Sequence, residues 1–220
     1  MKTYYAGGTV GDAYVILCKL YSIAIKEPIL CKHHTKYEAT KPIIEEIYGL
    51  VSGIKVEFLN MAFSGVELNG AFQNLAAEKA SYGIEPEYYP EFGLESIECF
   101  NLPETYAVLQ TVSGIRQDRK LLMELVEEVL TSAEFPIVLV GETDKRITKS
   151  NDVRKRTSIK QVINIIRNSK HFYGPQGFLS YVAVSQKVHS TVFTRTLGDG
   201  IAIQARTEAV EQWRRYLIKR

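Results

Sequence analysis

Tyr4-Tyr5-Ala6-Gly7-Gly8-Thr9-Val10-Gly11-Asp12-Ala13-Tyr14-Val15-Ile16-Leu17 is the stretch whose reading decides the fold. A short strand at Thr3–Ala6 runs into a glycine turn. An apolar pattern then continues from Asp12 to about Ile25, with Tyr14, Leu17, Cys18 and Tyr21 at helical spacing. Pro28 ends that helix, because proline cannot supply the next backbone donor. Working outward, Ile29–Lys32 predicts a second strand and Tyr37–Tyr48 a second helix with Ile43, Ile44 and Ile47 inward. Ile54–Leu59 predicts a third strand. A β-α-β-α-β run is the pattern of a parallel sheet wrapped by helices.

Further along, Ala71–Ala80 predicts a helix, and residues 83–103 form a connector rich in Pro, Tyr and Glu with Pro86, Pro90 and Pro103. The domain boundary is expected there, with one domain over 1–102 and a second over 103–220. The alternation then begins again. Strands are expected at Ala107–Thr111, Pro136–Val140, His171–Tyr173, Ser190–Phe193 and Ile201–Gln204, and helices at Arg119–Ala133, Ser158–Asn168 and Phe178–Ser185. Thr207–Arg220 reads as a last helix, acidic early and basic late in accord with the helix dipole. The fold class is α/β: two Rossmann-like parallel-sheet halves facing a cleft.

Composition narrows the function classes. The 220 residues are 45% hydrophobic and 24% charged, which excludes collagen-like and wholly disordered chains. A net charge of +2 does not advertise a nucleic-acid partner and allows at most peripheral membrane contact. The six Glu between Gly83 and Tyr106, and the six basic residues from Lys145 to Arg156, read as solvated faces; the basic run would also suit an anionic acceptor. Cys18, Cys31 and Cys99 have neither a disulfide count nor zinc spacing, so no metal site is expected. Without a signal-like start or an apolar run near the roughly 18–20 residues of a membrane span, the expectation is a cytoplasmic protein.

Chemistry in an open α/β sheet belongs at the carboxyl ends of its strands, and four turns qualify. In Gly7-Gly8-Thr9-Val10-Gly11-Asp12, glycines permit close backbone approach and the helix terminus favours an anion. The A-x-G-x-x-G match from Ala6 to Gly11 suggests a dinucleotide site, but the second strand ends with no acidic residue for a ribose. Asp12 is either the N-cap of its helix or a general base. Thr111-Val112-Ser113-Gly114-Ile115-Arg116 offers hydroxyls, N–H groups and a guanidinium to a phosphate. Gly141-Glu142 ends the most apolar strand with a carboxylate for a ribose or base edge. Gly174-Pro175-Gln176-Gly177 again offers N–H groups to an anion. His33-His34 reads as a solvated loop pair, and Tyr88, Tyr89 and Phe92 as cover for the hinge.

In this order, these segments resemble the GT-B glycosyltransferases of the ADP-heptose:lipopolysaccharide heptosyltransferase type, glycosyltransferase family 9. Gly8-Thr9-Val10-Gly11-Asp12 is similar to the family's opening G-x-x-G-D run. Tyr106–Ser113 with Arg116 is similar to its phosphate-binding loop. Pro136–Glu142 resembles its apolar strand ending in Gly, and Phe172–Ala183 its G-P-D-S/T-G-x-x-H-x-A segment. Gln176 stands where that segment has Asp, Ser180 where it has His, and the chain is shorter than typical members.

The resemblance implies an inverting transferase that needs no metal and no cofactor, with a nucleotide sugar as donor and a glycan or other hydroxyl acceptor. It matches Asp12 to the catalytic base, with Gly8, Thr9 and Gly11 on the acceptor side. Thr111, Ser113, Arg116, Gly141, Glu142, Gly174, Pro175, Gln176 and Gly177 fall on the donor side. A nucleotide-sugar epimerase, and a nucleotide-sugar-binding or structural relative without turnover, are the alternatives. Oligomeric state is left open.

Overall fold

A computed structural model of the protein describes residues 1–59, 90–112, 121, 123–148 and 151–193. The helix expected at 71–80, the strand at 201–204 and the helix at 207–220 lie outside the described residues. The chain divides into two compact units, Met1–Phe92 and Gly93–Arg220.

In the first unit, β1 (Lys2–Gly7), β2 (Ile29–His34) and β3 (Ile54–Phe58) form a parallel sheet in that order. Parallel neighbours need long crossovers, supplied by α1 (Val10–Ala24) and α2 (Lys41–Tyr48). Tyr14, Leu17, Ile29, Ile44, Ile47 and Tyr48 are among its fully buried side chains. Phe92 is buried too, its ring edge-on to Tyr14 and Tyr21 at 6.2 and 6.3 Å, while the Tyr21 hydroxyl donates to the Glu91 carbonyl at 3.0 Å. Phe92 therefore packs on α1.

The second unit is a parallel sheet in the order β5-β4-β6-β7, from β4 (Ala107–Gln110), β5 (Ile137–Val140), β6 (His171–Pro175) and β7 (Ser190–Phe193). Every residue of β4 and β5 is buried, as expected for strands covered on both faces. The connecting helices are α3 (Met123–Ser132), α4 (Ile159–Arg167) and α5 (Phe178–Ser185). Ala107, Leu109, Val126, Val129 and Leu139 form a core cluster between the sheet and α3. Ser158 caps α4: its hydroxyl accepts from the Gln161 N–H at 3.1 Å, and Gln161 Oε1 accepts from the Ser158 N–H at 3.0 Å.

Among the described residues the two charged stretches are exposed as expected except at Arg154, and both also tie local structure together. Glu95 Oε2 accepts from the Ser158 hydroxyl at 2.6 Å, and the Glu95 carbonyl accepts from Asn164 Nδ2 at 2.8 Å, so part of the acidic connector straps α4. In the basic run, Arg146 is paired with Asp144 at 2.6 Å and Arg154 with Asp152 at 2.5 Å. Arg154 is buried and also donates to the carbonyls of Asp144 and Ile147. These pairs anchor Asn151–Lys155 along the outer edge of β5. There Leu139 N–H donates to Asn151 O, Val153 N–H to Leu139 O and Lys155 N–H to Gly141 O, at 3.0, 3.1 and 3.2 Å. Among the described residues no helix is long and apolar enough to cross a membrane.

Gly53 leads into β3 so close to α1 that a Cβ there would lie 2.1 Å from the Ala24 carbonyl oxygen, whereas a Cβ at Gly93 would meet nothing within 4 Å. Because the obstacle is backbone, Gly53→Ala is expected to lower stability by about 2 kcal/mol or more. Gly93→Ala should stay within about 0.5 kcal/mol of wild type. Urea unfolding of both variants checks this.

Candidate functional site

The first unit presents its candidate group where β1 hands over to α1. Gly8 has φ +124°, a left-handed conformation that side chains rarely adopt, and a Cβ there would lie 2.4 Å from Asp12 Oδ2. Thr9 is the N-cap and Asp12 the third helical residue, which corrects the reading of Asp12 as N-cap. The Asp12 carboxylate accepts from the Thr9 N–H at 2.7 Å and the Thr9 hydroxyl at 3.0 Å, both through Oδ2. Oδ1 takes part in neither bond. Gly8, Thr9, Gly11 and Asp12 thus stand together at the carboxyl edge of the sheet, with a half-buried carboxylate on a rigid helix.

Sequence reasoning missed a residue next to it. β2 runs past Lys32 to His34, pairing Ala6 with His33 and Gly7 with His34. His33 is therefore 0% exposed and not in a solvated loop. Its Nδ1 lies 3.0 Å from the Tyr48 hydroxyl and its Nε2 3.4 Å from the Gly8 carbonyl oxygen. Burial pushes its pKa down to about 4, against the smaller opposing effects of the Gly8 carbonyl and the Asp12 charge; His34 adds to the lowering. Burial also raises the hydroxyl of Tyr48 and lifts the Cys31 thiol, bonded to it, to about 11. The tyrosine and cysteine stay protonated at neutral pH.

In the second unit, connections leave β4 and β6 in opposite directions, so these neighbours mark the topological switch point where open α/β sheets bind ligands. Gln110, the last residue of β4, lies there between two glycines. A Cβ at Gly174 would meet Gln110 Cβ at 3.1 Å, and one at Gly141 would meet Gln110 Nε2 at 3.4 Å. Gln110 and Thr111 are 4% and 1% exposed, and among the described residues Gln110 Oε1 and Thr111 Oγ1 have no hydrogen-bond partner. Gln110 carried no motif, so only its place in the sheet reveals it. Ser113 and Arg116 lie outside the described residues.

β6 extends through Pro175, so Gly174 and Pro175 belong to the strand and not to a turn. The Gln176 N–H donates to Phe193 O at 3.0 Å, Gln176 Nε2 to the Tyr181 hydroxyl at 2.9 Å, and the Gly177 N–H to Ser180 Oγ at 3.0 Å. The first of those backbone donors is engaged in pairing with β7 and the second in capping α5. Glu142, at the end of the outer strand β5, is 2.9 Å from Lys155 Nζ in an exposed pair, the kind that contributes little to stability.

Similar solved structures set this geometry in context. The dodecameric iron-containing glycosyltransferase TibC of enterotoxigenic E. coli matches with TM-score 0.53 and 12% identity over 87% of this chain. Its complex with ADP-D-beta-D-heptose matches with TM-score 0.52, also at 12% identity. E. coli ADP-heptose lps heptosyltransferase II matches with TM-score 0.53 and 10% identity, over 94% of this chain and 89% of that one. The chain spans 59% of the length of TibC. No protein-family model matches the sequence, nor does any curated protein. The fold is α/β and GT-B-like, with one parallel sheet in each unit. It is the fold of the heptosyltransferase-type glycosyltransferases.

Linkage gives a prediction for His33, which is faced by Asp12, His34 and Tyr48 and touches Phe58, over whose ring Lys41 lies. Above the ordinary value of 6.5 the folded and unfolded chains are both neutral at this site, and nothing is lost. Between 6.5 and about 4 only the unfolded chain takes up the proton, so stability falls as pH falls. The full loss, reached below the folded pKa, is about 3 kcal/mol. Urea unfolding at a series of pH values should show this decline, and His33→Gln should flatten it. His171, also lowered to about 4, mainly by burial, leaves a residual slope in both proteins.

Proposed function

We propose that the protein is a glycosyltransferase that moves a sugar from a nucleotide-diphosphate donor to a hydroxyl acceptor by metal-independent, inverting displacement. The observation that carries this reading is the placement of Asp12: a carboxylate in the first turn of α1, at the carboxyl edge of a parallel sheet, with Oδ2 held by Thr9. Oδ1 then receives the proton of the acceptor hydroxyl. The acceptor oxygen forms a bond to the anomeric carbon as the bond from that carbon to the diphosphate oxygen breaks, and the electron pair leaves with the nucleotide. The first unit takes the acceptor near Gly8, Thr9 and Gly11.

The donor is assigned to the switch point of the second unit, with Thr111, Ser113 and Arg116 on the diphosphate, Gly141 and Glu142 toward the nucleoside, and Gly174–Gly177 beside them. ADP-heptose is the donor to try first, since TibC was crystallised with it. Iron belongs to the description of TibC. Among the described residues no group of three or more His, Cys, Asp or Glu suits a metal ion, and no step of the proposed reaction runs through one. Residence in the cytoplasm, where nucleotide sugars would be at hand, is part of the same proposal. A binding protein without turnover is the second reading, favoured by the Gln176 and Gly177 N–H groups already spent within the fold.

Thermal unfolding with ADP, UDP, GDP and CDP and their sugars, with and without Mg²⁺, tests the donor. A donor at about 100 times its Kd stabilises by about 2.7 kcal/mol, so one nucleotide should raise Tm selectively. Asp12→Asn should bind that donor unchanged and lose transfer by about a hundredfold or more. Transfer at the wild-type rate in folded Asp12→Asn would remove the base, and binding without transfer in the wild type would leave the second reading.

A further inference from the structure

We propose that His33 is a positioning residue: by donating from Nε2 to the Gly8 carbonyl it fixes the Gly8–Thr9 peptide plane, whose other end holds the Asp12 carboxylate. The inference rests on the reading of Asp12 as the base. The Gly8 carbonyl and the Thr9 N–H belong to one planar peptide unit, so they cannot be oriented independently. The carbonyl faces His33 Nε2 at 3.4 Å, and the N–H donates to Asp12 Oδ2 at 2.7 Å. A rotation of this plane takes the N–H away from Asp12. With glycine on its amino side at φ +124°, local sterics give little resistance to that rotation.

The imidazole is built to resist it. A carbonyl only accepts, so Nε2 carries the proton and Nδ1 accepts from the Tyr48 hydroxyl at 3.0 Å. The rings of Tyr48 and Phe58 stand edge-on to the imidazole at 5.7 and 6.3 Å and fix its plane. At 3.4 Å the last contact is long, so it sets direction more than it adds energy. Gly8 is also tied on its other side, its N–H donating to His34 O at 3.0 Å.

The test compares the full chain with His33→Asn, His33→Gln and Tyr48→Phe by amide hydrogen exchange in NMR and by release of ADP from ADP-heptose. Asn reaches only the Nδ1 position, whereas Gln places an N–H near that of Nε2. His33→Asn is expected to speed exchange of the Thr9 amide about tenfold or more while the mid-helix amides of Ile16 and Leu17 keep the wild-type rate. His33→Gln should recover most of that protection. ADP release should follow the same order, with kcat falling about tenfold in His33→Asn and KM for the donor unchanged.

Thr9 exchange at the wild-type rate in His33→Asn overturns the proposal, as does acceleration of Thr9, Ile16 and Leu17 together, which would mark a role in stability alone. If His33→Asn does not fold, Tyr48→Phe takes its place: it keeps the ring but removes the donor to Nδ1, and unchanged Thr9 exchange there overturns the proposal equally. Absence of ADP release from the wild type counts against the transferase reading, while Thr9 exchange still decides the role of His33.

Discussion

The left-handed backbone at Gly8 is the constraint on which the first unit's candidate site depends. It lets the chain leave β1 and turn at once into α1, so that Thr9 caps the helix and Asp12 falls in its first turn. The space a side chain would need is occupied by the Asp12 carboxylate itself. Strand end, helix start and carboxylate are thus a single packed object. Its precision comes from secondary structure and not from a loop, which is how a small site keeps its geometry through thermal motion.

The second unit reaches a comparable end by other means. Its sheet order puts β4 between β5 and β6, and a polar side chain at the tip of the central strand is approached by glycines from both neighbours. Buried acceptor oxygens on Gln110 and Thr111, without partners among the described residues, are costly in a protein interior. Natural folds retain such groups mainly where something polar is meant to meet them. The Gly177 turn contrasts with this, because Ser180 has taken the backbone donor that an anion would otherwise find. Ser180 is fully buried, so the cap is part of the helix's packing and not a surface ornament.

Much of the architecture was legible because it is written locally. Alternating apolar runs, a glycine turn after β1, and the Ser158–Gln161 box at the start of α4 each act over a few residues, and the strands and helices follow from them. Whether β2 stops at Lys32 or continues to His34 depends instead on pairing with Ala6 and Gly7, which lie far away in sequence. That pairing alone turns His33 from a solvated residue into a buried one. Arg154 was equally opaque: a basic run reads as solvated until the chain bends this arginine back on the aspartate two residues before it and buries it. Asp12 was legible as a candidate base, but its place in the first turn depended on Thr9 taking the cap.

The strip Asn151–Lys155 beside β5 has a consequence for the life of the protein before folding is complete. A bare β5 edge, Ile137-Val138-Leu139-Val140, would be an apolar template for a strand from another molecule, the sequence type that seeds fibrils. The chain covers it with its own segment, and ties that segment down by the Arg154–Asp152 pair, which needs no distant partner to form. Damage to this one clip would bare the β5 edge and loosen Lys155 from Gly141 and Glu142, lowering the yield of usable protein. A variant that breaks it would present first as insolubility during synthesis.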